Sequence, residues 1–190
     1  MKKELRAEAL KRRDEMPLAE REEKSRQITA HILQSEAYQY AKRIFAFVSM
    51  GSDVETRDII VRAWKDGKIV AVPKTERGRV MYFLKIDSFA DLIEGRFGVM
   101  EPLGGKEDAI VPEKGDLFLV PGALFDEKMN RMGYGGGYYD TYFEKYQGYG
   151  KIGLAFQSQV RTAPIPAEKT DIPLDDIVTE NGWMGGRKHE

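Results

Sequence analysis

The sequence predicts a three-layer α/β domain in which a mostly parallel central sheet carries helices on both faces. Short runs of consecutive apolar residues are bounded by turns, and one helical segment lies between the first two runs. Continuous rather than alternating apolar strands are typical of a sheet that is covered on both sides. A strand, a helix and a second strand in that order form a βαβ unit, which places the strands in parallel.

Two helices are predicted before the first strand. In the first, residues 2–15, an apolar edge is formed by Leu5 and Ala9 and continues at Met16. A basic ridge runs beside that edge and consists of Lys2, Arg6 and Arg13. By pattern alone, such a ridge is more often a solvated helix face than a binding surface. The second helix, at about residues 18–36, has Ile28, Ile32 and Leu33 on its inner face.

The central part of the chain alternates between apolar runs and turns. The predicted strands are Ile44–Val48, Ile69–Val72, Val80–Leu84, Leu117–Val120, Ile152–Phe156 and Ile177–Thr179. A helix is predicted at Thr56–Lys65, with Ile59, Ile60, Ala63 and Trp64 as its apolar positions. In a sheet of this kind, ligands bind beyond the carboxyl ends of the strands. The loops Ser49–Thr56 and Pro121–Asp140 are therefore the places where a site is expected.

Length and charge favour one domain with a small-molecule partner. The 190 residues contain 30 Lys and Arg against 31 Asp and Glu, a net charge of −1, so no broad basic surface for nucleic acid is expected. We predict a single domain over residues 1–190, with a loose tail at 181–190. The charged N-terminus does not resemble a signal peptide, and no apolar run approaches the roughly 18 residues of a membrane span. We therefore expect a cytoplasmic protein that does not bind membranes.

The scarcity of Cys and His limits the chemistry. The chain has no Cys and only two His, His31 and His189, which removes thiolate nucleophiles and makes a His-based zinc site improbable. An enzyme of this composition must use carboxylates, Lys and Arg charge, backbone N–H groups and a hard cation. Those groups suit phosphoryl transfer.

A glycine-rich stretch is the most informative motif. Gly133-Tyr-Gly135-Gly136-Gly137 precedes a segment of helical character that begins at Tyr138. Glycine lets a backbone approach a ligand closely, and N–H groups at a helix start can bind phosphate. Taken by letters alone, such a run is as often a turn as a site. Arg131 before it and Asp140 after it favour the functional interpretation, with Asp140 able to reach a cation.

Three groups of residues resemble the 5-formyltetrahydrofolate cyclo-ligase family, which is also called methenyltetrahydrofolate synthetase. They are Lys2-Lys3-Glu4-Leu5-Arg6 with Arg12-Arg13; Phe47-Val48-Ser49-Met50 with Glu55-Thr56; and Pro121-Gly122, Phe125-Asp126 and Asn130-Arg131-Met132-Gly133-Tyr134-Gly135-Gly136-Gly137-Tyr138-Tyr139-Asp140. The resemblance covers nearly the whole chain, and the third group is the most specific. Met132 departs from the commoner Leu, a change that conserves volume.

The resemblance implies an ATP- and Mg²⁺-dependent conversion of 5-formyltetrahydrofolate to 5,10-methenyltetrahydrofolate. It assigns Arg131 to charge stabilisation and Asp140 and Asp171 to Mg²⁺, with Asp175 as the alternative second ligand. The residues that it implies for the nucleotide are Lys2, Lys3, Arg6, Arg131, Met132, Gly133, Tyr134, Gly135, Gly136, Gly137, Tyr138 and Tyr139.

For the folate substrate, the resemblance implies contacts from Met50 and Glu55 and from the loop residues Tyr134, Gly135, Gly136, Gly137 and Tyr138. For Met50 by itself, core packing is the better interpretation. Some relatives carry a basic residue where Tyr134 and Gly136 stand, so Arg161 and Lys151 are the candidates for contact with the folate glutamate.

Two other functions compete with this one. One is a folate-binding module without turnover, and the other is a sugar-phosphate isomerase or acyl-CoA transferase of similar architecture. Loss of Asp140, Asp171 or Arg131 would favour the first, and all three are present. The second generally relies on a carboxylate base or nucleophile placed differently, and it would leave the basic ridge of the first helix without a role. We expect a monomer or weak homodimer whose partners are 5-formyltetrahydrofolate and MgATP.

Overall fold

A computed structural model describes residues 1–186. The helices are α1 Lys2–Asp14, α2 Leu18–Gln34, α3 Glu36–Tyr40, α4 Arg57–Lys65 and α5 Tyr138–Lys145. The strands are β1 Arg43–Ala46, β2 Ile69–Glu76, β3 Val80–Ile86, β4 Leu92–Glu94, β5 Met100–Pro102, β6 Leu117–Val120, β7 Leu124–Asp126, β8 Arg131–Met132, β9 Gly150–Leu154, β10 Val160–Arg161, β11 Asp176–Thr179 and β12 Gly182–Trp183.

The central sheet confirms the predicted fold class. Its strand order is β12-β11-β9-β6-β1-β2-β3, and the five inner strands run parallel. Both edges are antiparallel, since β3 pairs with β2 and β12 with β11. The β1–α4–β2 crossover is the predicted βαβ unit. Two smaller sheets, β10-β7-β8 and β4-β5, lie outside the main one.

Helices cover both faces of the central sheet. One apolar cluster joins the sheet to α2 and α4 through Ile28, Ile32, Ile59 and Ile60, which are essentially fully buried. The second cluster lies on the opposite face and includes Tyr142 and Phe143 of α5. The strands are apolar at consecutive positions because each face of the sheet meets a hydrophobic layer.

Most predicted elements were displaced by only a few residues. The main difference concerns the second helix, which was predicted to reach residue 36. It ends at Gln34, because Ser35 adopts an extended conformation and its side chain accepts a hydrogen bond from the Tyr38 N–H, which starts α3. A capping serine ends one helix and begins the next.

The prediction of a loose tail over residues 181–190 is wrong at its beginning. Gly182 and Trp183 pair with Val178 and Thr179 of β11, and Trp183 packs against the core beside α2. The tight turn at Glu180 and Asn181 allows this hairpin, and Gly182, which follows the turn, lies in the left-handed region at φ 114°. Residues 187–190, with His189, lie outside the described part of the chain.

Candidate active site

The two predicted loops meet at one edge of the sheet. β1 and β6 are parallel neighbours, so residues 49–56 after β1 and residues 121–137 after β6 leave the sheet side by side. In the sheet, β2 lies beside β1 on one side of this pair, and β9 lies beside β6 on the other side. The chain therefore leaves the two strands in opposite directions. Such a switch point leaves a crevice between the loops, and this is where α/β sheets bind ligands.

The glycine-rich loop ends directly at a helix start. Gly135 and Gly137 have φ values of 103° and 71°, which side chains other than glycine rarely adopt. Gly137 is the residue before α5, and no side chain caps that helix. The N–H groups of the first turn, beginning at Tyr138, are therefore open to an anionic ligand.

Arg131 is held beneath this loop with its charge intact. Its side chain is only 5% exposed, and its Nη1 donates to the carbonyl oxygen of Pro121 at 3.0 Å. The guanidinium lies 5.2 Å from the ring centre of Tyr139 and 3.9 Å from the Asp140 carboxylate. Burial lowers the pKa of Arg131, and Asp140 opposes the shift. Arginine remains protonated under such conditions, so a fixed cation faces the site.

Asp140 and Asp171 are brought together by the backbone. The Ile172 N–H donates to Asp140 Oδ1 at 3.2 Å, so the residue after Asp171 is attached to the other carboxylate. Asp171 Oδ2 accepts from the Glu168 N–H at 2.8 Å and pairs with the Lys2 ammonium at 3.2 Å. Two partly exposed carboxylates thus lie beside the loop. Asp171 pairs with Lys2 of α1, and Asp140 lies 3.9 Å from Arg131.

Asp175 lies elsewhere. It pairs with Lys151 at 3.6 Å and accepts from the Lys151 N–H at 2.7 Å. Lys151 belongs to the amino-terminal half of β9, where Gly115, Gly148 and Tyr149 join it around a separate cavity of about 580 Å³. This edge of the sheet is opposite to the two loops. Lys151 and Asp175 therefore lie away from the glycine-rich loop, whereas Asp171 is next to the residue bonded to Asp140.

The basic ridge of the first helix divides into residues with different surroundings. Arg6 Nε donates to the carbonyl oxygen of Gly133 at 2.7 Å, and its guanidinium lies beside Gly135. Lys2 reaches Asp171, as described above. Lys3 is exposed and has no hydrogen-bond or ion-pair partner within residues 1–186. Lys2 and Arg6 thus lie beside Asp171 and the glycine-rich loop.

Arg13 is buried and belongs to a polar cluster that the sequence did not predict. Its guanidinium donates to Ser52 Oγ at 2.9 Å and pairs with Asp53 at 3.2 Å. Tyr134 completes the cluster, because its hydroxyl donates to Asp53 at 2.8 Å and accepts from Arg13 at 3.0 Å. Ser52 also bonds to Asp14. This cluster connects α1 to both loops, and the sequence signal for it was the acceptor-rich Ser52-Asp53 pair that directly follows Gly51.

The cluster shifts the pKa values of its members. Burial raises the pKa of Asp53, and the Arg13 guanidinium opposes that shift. Burial also raises the pKa of the Tyr134 hydroxyl, with the Asp53 charge acting in the same direction. Tyr134 therefore stays a neutral hydrogen-bond donor, although 48% of the residue is exposed.

Met50 and Glu55 lie at the outer side of the crevice. Met50 is 44% exposed, which excludes core packing for it. Glu55 accepts a hydrogen bond from Ser49 Oγ at 3.0 Å and lines a cavity of about 240 Å³. Its apolar walls come from the segment after β1, from α4, and from the β4–β5 ribbon and the turn before it, through Val48, Ile60, Phe89, Leu92 and Met100. Ser49, Thr56 and Arg57 complete the lining.

The remaining predicted site residues have mixed surroundings. Met132 is buried with Ala9, Leu124 and Ile165, so its side chain packs under α1 rather than facing a nucleotide. Gly136 is exposed in the loop, and the Tyr138 hydroxyl lies 3.5 Å from the carbonyl oxygen of Glu76. Arg161 pairs in register with Asp126 in the small sheet. It therefore lies beside β7, which is part of the loop that follows β6.

Comparisons with known proteins place the chain in one family. Residues 1–180 match the model of the 5-formyltetrahydrofolate cyclo-ligase family. The chain is 32% identical over 191 residues to 5-formyltetrahydrofolate cyclo-ligase of Mus musculus, covering 95% of this chain and 94% of the mouse protein. It is 28% identical to the enzyme of the same name from Haemophilus influenzae over 181 residues, 93% of this chain and 96% of that protein.

Solved structures show the same fold. The NMR structure of 5,10-methenyltetrahydrofolate synthetase from Aquifex aeolicus superposes with a TM-score of 0.83 at 30% identity, covering 96% of this chain and 91% of the other. The synthetase from Mycoplasma pneumoniae has a TM-score of 0.73 at 20% identity, with coverages of 94% and 98%. From the family match, the similarity to the mouse relative and the shared fold, the chain belongs to the 5-formyltetrahydrofolate cyclo-ligase family, a family of ligases.

Proposed function

We propose that this chain converts 5-formyltetrahydrofolate and ATP to 5,10-methenyltetrahydrofolate, ADP and phosphate, with Mg²⁺ as the cofactor. The observation that carries the proposal is the convergence of Arg131, Asp140, Asp171 and Lys2 at the open helix start after Gly137. Two fixed cations, two carboxylates and free N–H groups are the elements that a metal–phosphate ligand requires.

The carboxylates fit a magnesium ion bound with a nucleotide. Within residues 1–186, no group of three or more His, Cys, Asp or Glu side chains could hold a metal by itself. Mg²⁺ commonly takes one or two protein carboxylates together with phosphate oxygens and water, so Asp140 and Asp171 are sufficient. When bound there, the ion would neutralise charge on the phosphates.

The proposed reaction needs no protein nucleophile. The formyl oxygen of the folate attacks the γ-phosphorus of ATP, the bond to the ADP oxygen breaks, and ADP leaves. The folate N10 then attacks the formyl carbon and loses its proton to water, the ring closes, and phosphate leaves with the former formyl oxygen. In this scheme Arg131 stabilises charge on the transferring phosphoryl group, and Lys2, Arg6 and the N–H groups from Tyr138 onward hold the phosphates.

For the folate, we propose that the cavity beside Glu55 receives the pterin ring. Its apolar walls suit a flat heterocycle, and the Glu55 carboxylate can accept hydrogen bonds from the N–H groups on the pterin edge. Met50 and the loop from Tyr134 to Tyr138 would cover the remainder of the substrate. The formyl group would then lie between the cavity and the glycine-rich loop, where the phosphates are expected.

The experiment is to follow the absorbance of the methenyl product after mixing the protein, 5-formyltetrahydrofolate and MgATP. We expect product only when ATP and Mg²⁺ are both present, with one ADP formed for each methenyl product. Turnover without ATP would contradict the mechanism. Binding of the folate without turnover under any condition would favour the non-catalytic module.

The setting of the enzyme also remains a proposal. Within residues 1–186, no helix combines the length and apolar character that crossing a bilayer requires. One relative, from Arabidopsis thaliana, is named as mitochondrial, so family membership does not determine the compartment. We propose a cytoplasmic monomer or weak homodimer that binds neither nucleic acid nor membranes.

A further inference from the structure

We propose that Arg79, on the β2–β3 hairpin, binds the carboxylates of the substrate's terminal glutamate; the inference rests on the proposed function and names a residue for one part of that substrate. Arg79 lies outside every motif that the sequence analysis selected. Its guanidinium is brought to the glycine-rich loop only by the fold.

The first observation is the position of the guanidinium. A Cβ atom placed on Gly137 would lie 3.3 Å from Arg79 Nε and 3.4 Å from its Cζ, so the guanidinium packs directly on the last loop glycine. The Tyr138 hydroxyl lies 3.5 Å from the Glu76 carbonyl oxygen and keeps the hairpin close to the start of α5. Arg79 therefore lies at the rim of the site.

The second observation is that the charge of Arg79 is not used by the protein. Within residues 1–186, the exposed Arg79 has no hydrogen-bond or ion-pair partner. The nearby Glu76 carboxylate accepts the Tyr82 hydroxyl at 2.9 Å instead. An arginine held beside a loop without a carboxylate partner keeps its donors available for an anionic ligand.

The backbone at Arg79 supports a fixed placement. Arg79 has φ 59°, in the left-handed region, which is uncommon for a residue with a side chain. It follows Gly78, with φ 82°, at the tip of the hairpin. The tip thus turns in a way that directs residue 79 toward Gly137.

The location favours the folate glutamate over the ATP phosphates. The cations proposed for phosphate, Lys2 and Arg6, approach from α1, and they contact Asp171 and Gly133. Arg79 approaches from the hairpin, which is bonded to the β4–β5 ribbon where Glu101 accepts from the Thr75 N–H and hydroxyl at 3.3 and 3.1 Å.

That ribbon also forms a wall of the folate cavity, because Met100, the residue before Glu101, lines it. A folate whose pterin ring occupies this cavity would extend its glutamate toward solvent along the hairpin. Exposed arginines suit carboxylates that remain partly hydrated. Arg79 is thus on the folate side of the glycine-rich loop.

The test is the Arg79→Asn variant, because asparagine removes the charge and still tolerates a left-handed backbone. We expect its KM for 5-formyltetrahydrofolate to rise about 3- to 10-fold. The value of kcat and the KM for ATP should remain within about twofold of wild type, since the phosphates are held by other cations. The matched control is Arg77→Asn on the same hairpin, which should change neither parameter.

A substrate without the glutamate, 5-formyltetrahydropteroate, separates recognition of the tail from a structural effect. Wild type and Arg79→Asn should use it equally well. An unchanged folate KM in Arg79→Asn, an equal loss with the pteroate substrate, or an equal rise in the KM for ATP would each overturn the inference.

Calorimetric titration of 5-formyltetrahydrofolate without nucleotide distinguishes this inference from the proposed function. If wild type binds folate but shows no turnover, the proposed reaction fails, and a 3- to 10-fold weaker binding by Arg79→Asn would still support Arg79. If turnover occurs and the two proteins bind folate equally, only the assignment of Arg79 fails. If wild type binds no folate, both fail.

Discussion

At the scale of single residues, the site depends on charges that the protein does not neutralise completely. Arg131 is buried, yet the structure gives it one backbone acceptor and a carboxylate at 3.9 Å, beyond hydrogen-bond distance. A guanidinium in this setting has donors left for a ligand, and burial strengthens its interaction with an incoming negative charge. Asp140 and Asp171 supply negative charge beside this cation. A metal ion bound by the two carboxylates, with its phosphates bound by Arg131, would pair with all three side chains.

Substitution with asparagine tests whether Asp140 and Asp171 bind Mg²⁺. We expect Asp140→Asn and Asp171→Asn each to lower kcat by about 100-fold or more, because the loss of one of two carboxylates weakens Mg²⁺ binding where charge develops. Asn can still accept the hydrogen bonds from Ile172 and Glu168. The midpoint of thermal unfolding should therefore change by only about 4 °C or less.

The matched control is Asp175→Asn, which alters a carboxylate on the opposite edge of the sheet. Its turnover and its Mg²⁺ dependence, both followed by product absorbance, should equal those of wild type. Loss of Mg²⁺-dependent turnover in Asp175→Asn but not in Asp171→Asn would show that the second ligand is misassigned.

At the scale of elements, α1 serves as one wall of the site rather than as a separate extension. Leu5 and Ala9 pack on Leu124, Met132 and Ile165, and this contact aligns the helix with the loop after β6. The Arg13–Asp53–Tyr134 cluster attaches the other end of the helix to both loops. Because the helix is attached along its length, Lys2 and Arg6 are directed toward Asp171 and Gly133 rather than toward solvent.

A pair of arginines on this helix tests its role. Arg6→Ala should raise the KM for ATP about 10-fold and leave the KM for 5-formyltetrahydrofolate within about twofold, because one charged contact to phosphate is removed. Arg12→Ala is the control, since within residues 1–186 the exposed Arg12 pairs with Glu8 alone, at 2.8 Å. It should leave both KM values unchanged. Equal increases for both substrates in Arg6→Ala would refute the assignment of α1 to the nucleotide.

At the scale of the whole molecule, an aromatic cluster joins the sheet to the helix that follows the glycine-rich loop. Phe118 of β6 is fully buried and stacks on Phe45 and Tyr149, in each case with ring centres 4.4 Å apart. Tyr142 and Phe143 of α5 pack against the same ring. The position of α5, and with it the open helix start, therefore depends on the core beneath the site.

Truncation of this ring should be costly. We expect Phe118→Ala to lower the free energy of unfolding by about 3–5 kcal/mol, the range for a large aromatic side chain removed from a core. Urea denaturation monitored by circular dichroism provides the measurement. Phe97→Ala is the matched control, because Phe97 is 71% exposed, and it should change the stability by about 1 kcal/mol or less. A loss below about 1 kcal/mol in Phe118→Ala would show that the cluster does not support the fold.

The fold class could be predicted because it depends on local periodicity. Continuous apolar runs, the amphipathic helix after the first strand and the loops that follow β1 and β6 all follow from residues close together in the chain. Element ends were less certain, as Ser35 shows, since one capping hydrogen bond ended a helix that the apolar pattern would have continued. The glycine-rich loop was also recognisable, because its glycines, arginine and aspartate are consecutive.

Only the tertiary structure decided which charged side chains, far apart in sequence, become partners. The sequence by itself determined the strands of the central sheet except β12, and the two loops at the carboxyl edge of that sheet. It could not distinguish Arg13, which is buried against Asp53, from Lys2, which faces Asp171, because both lie on one helix. Nor could it separate Asp171 from Asp175 or place Arg79 on Gly137. Electrostatic contacts depend on distance in space, and chain folding sets that distance only after the whole core has formed.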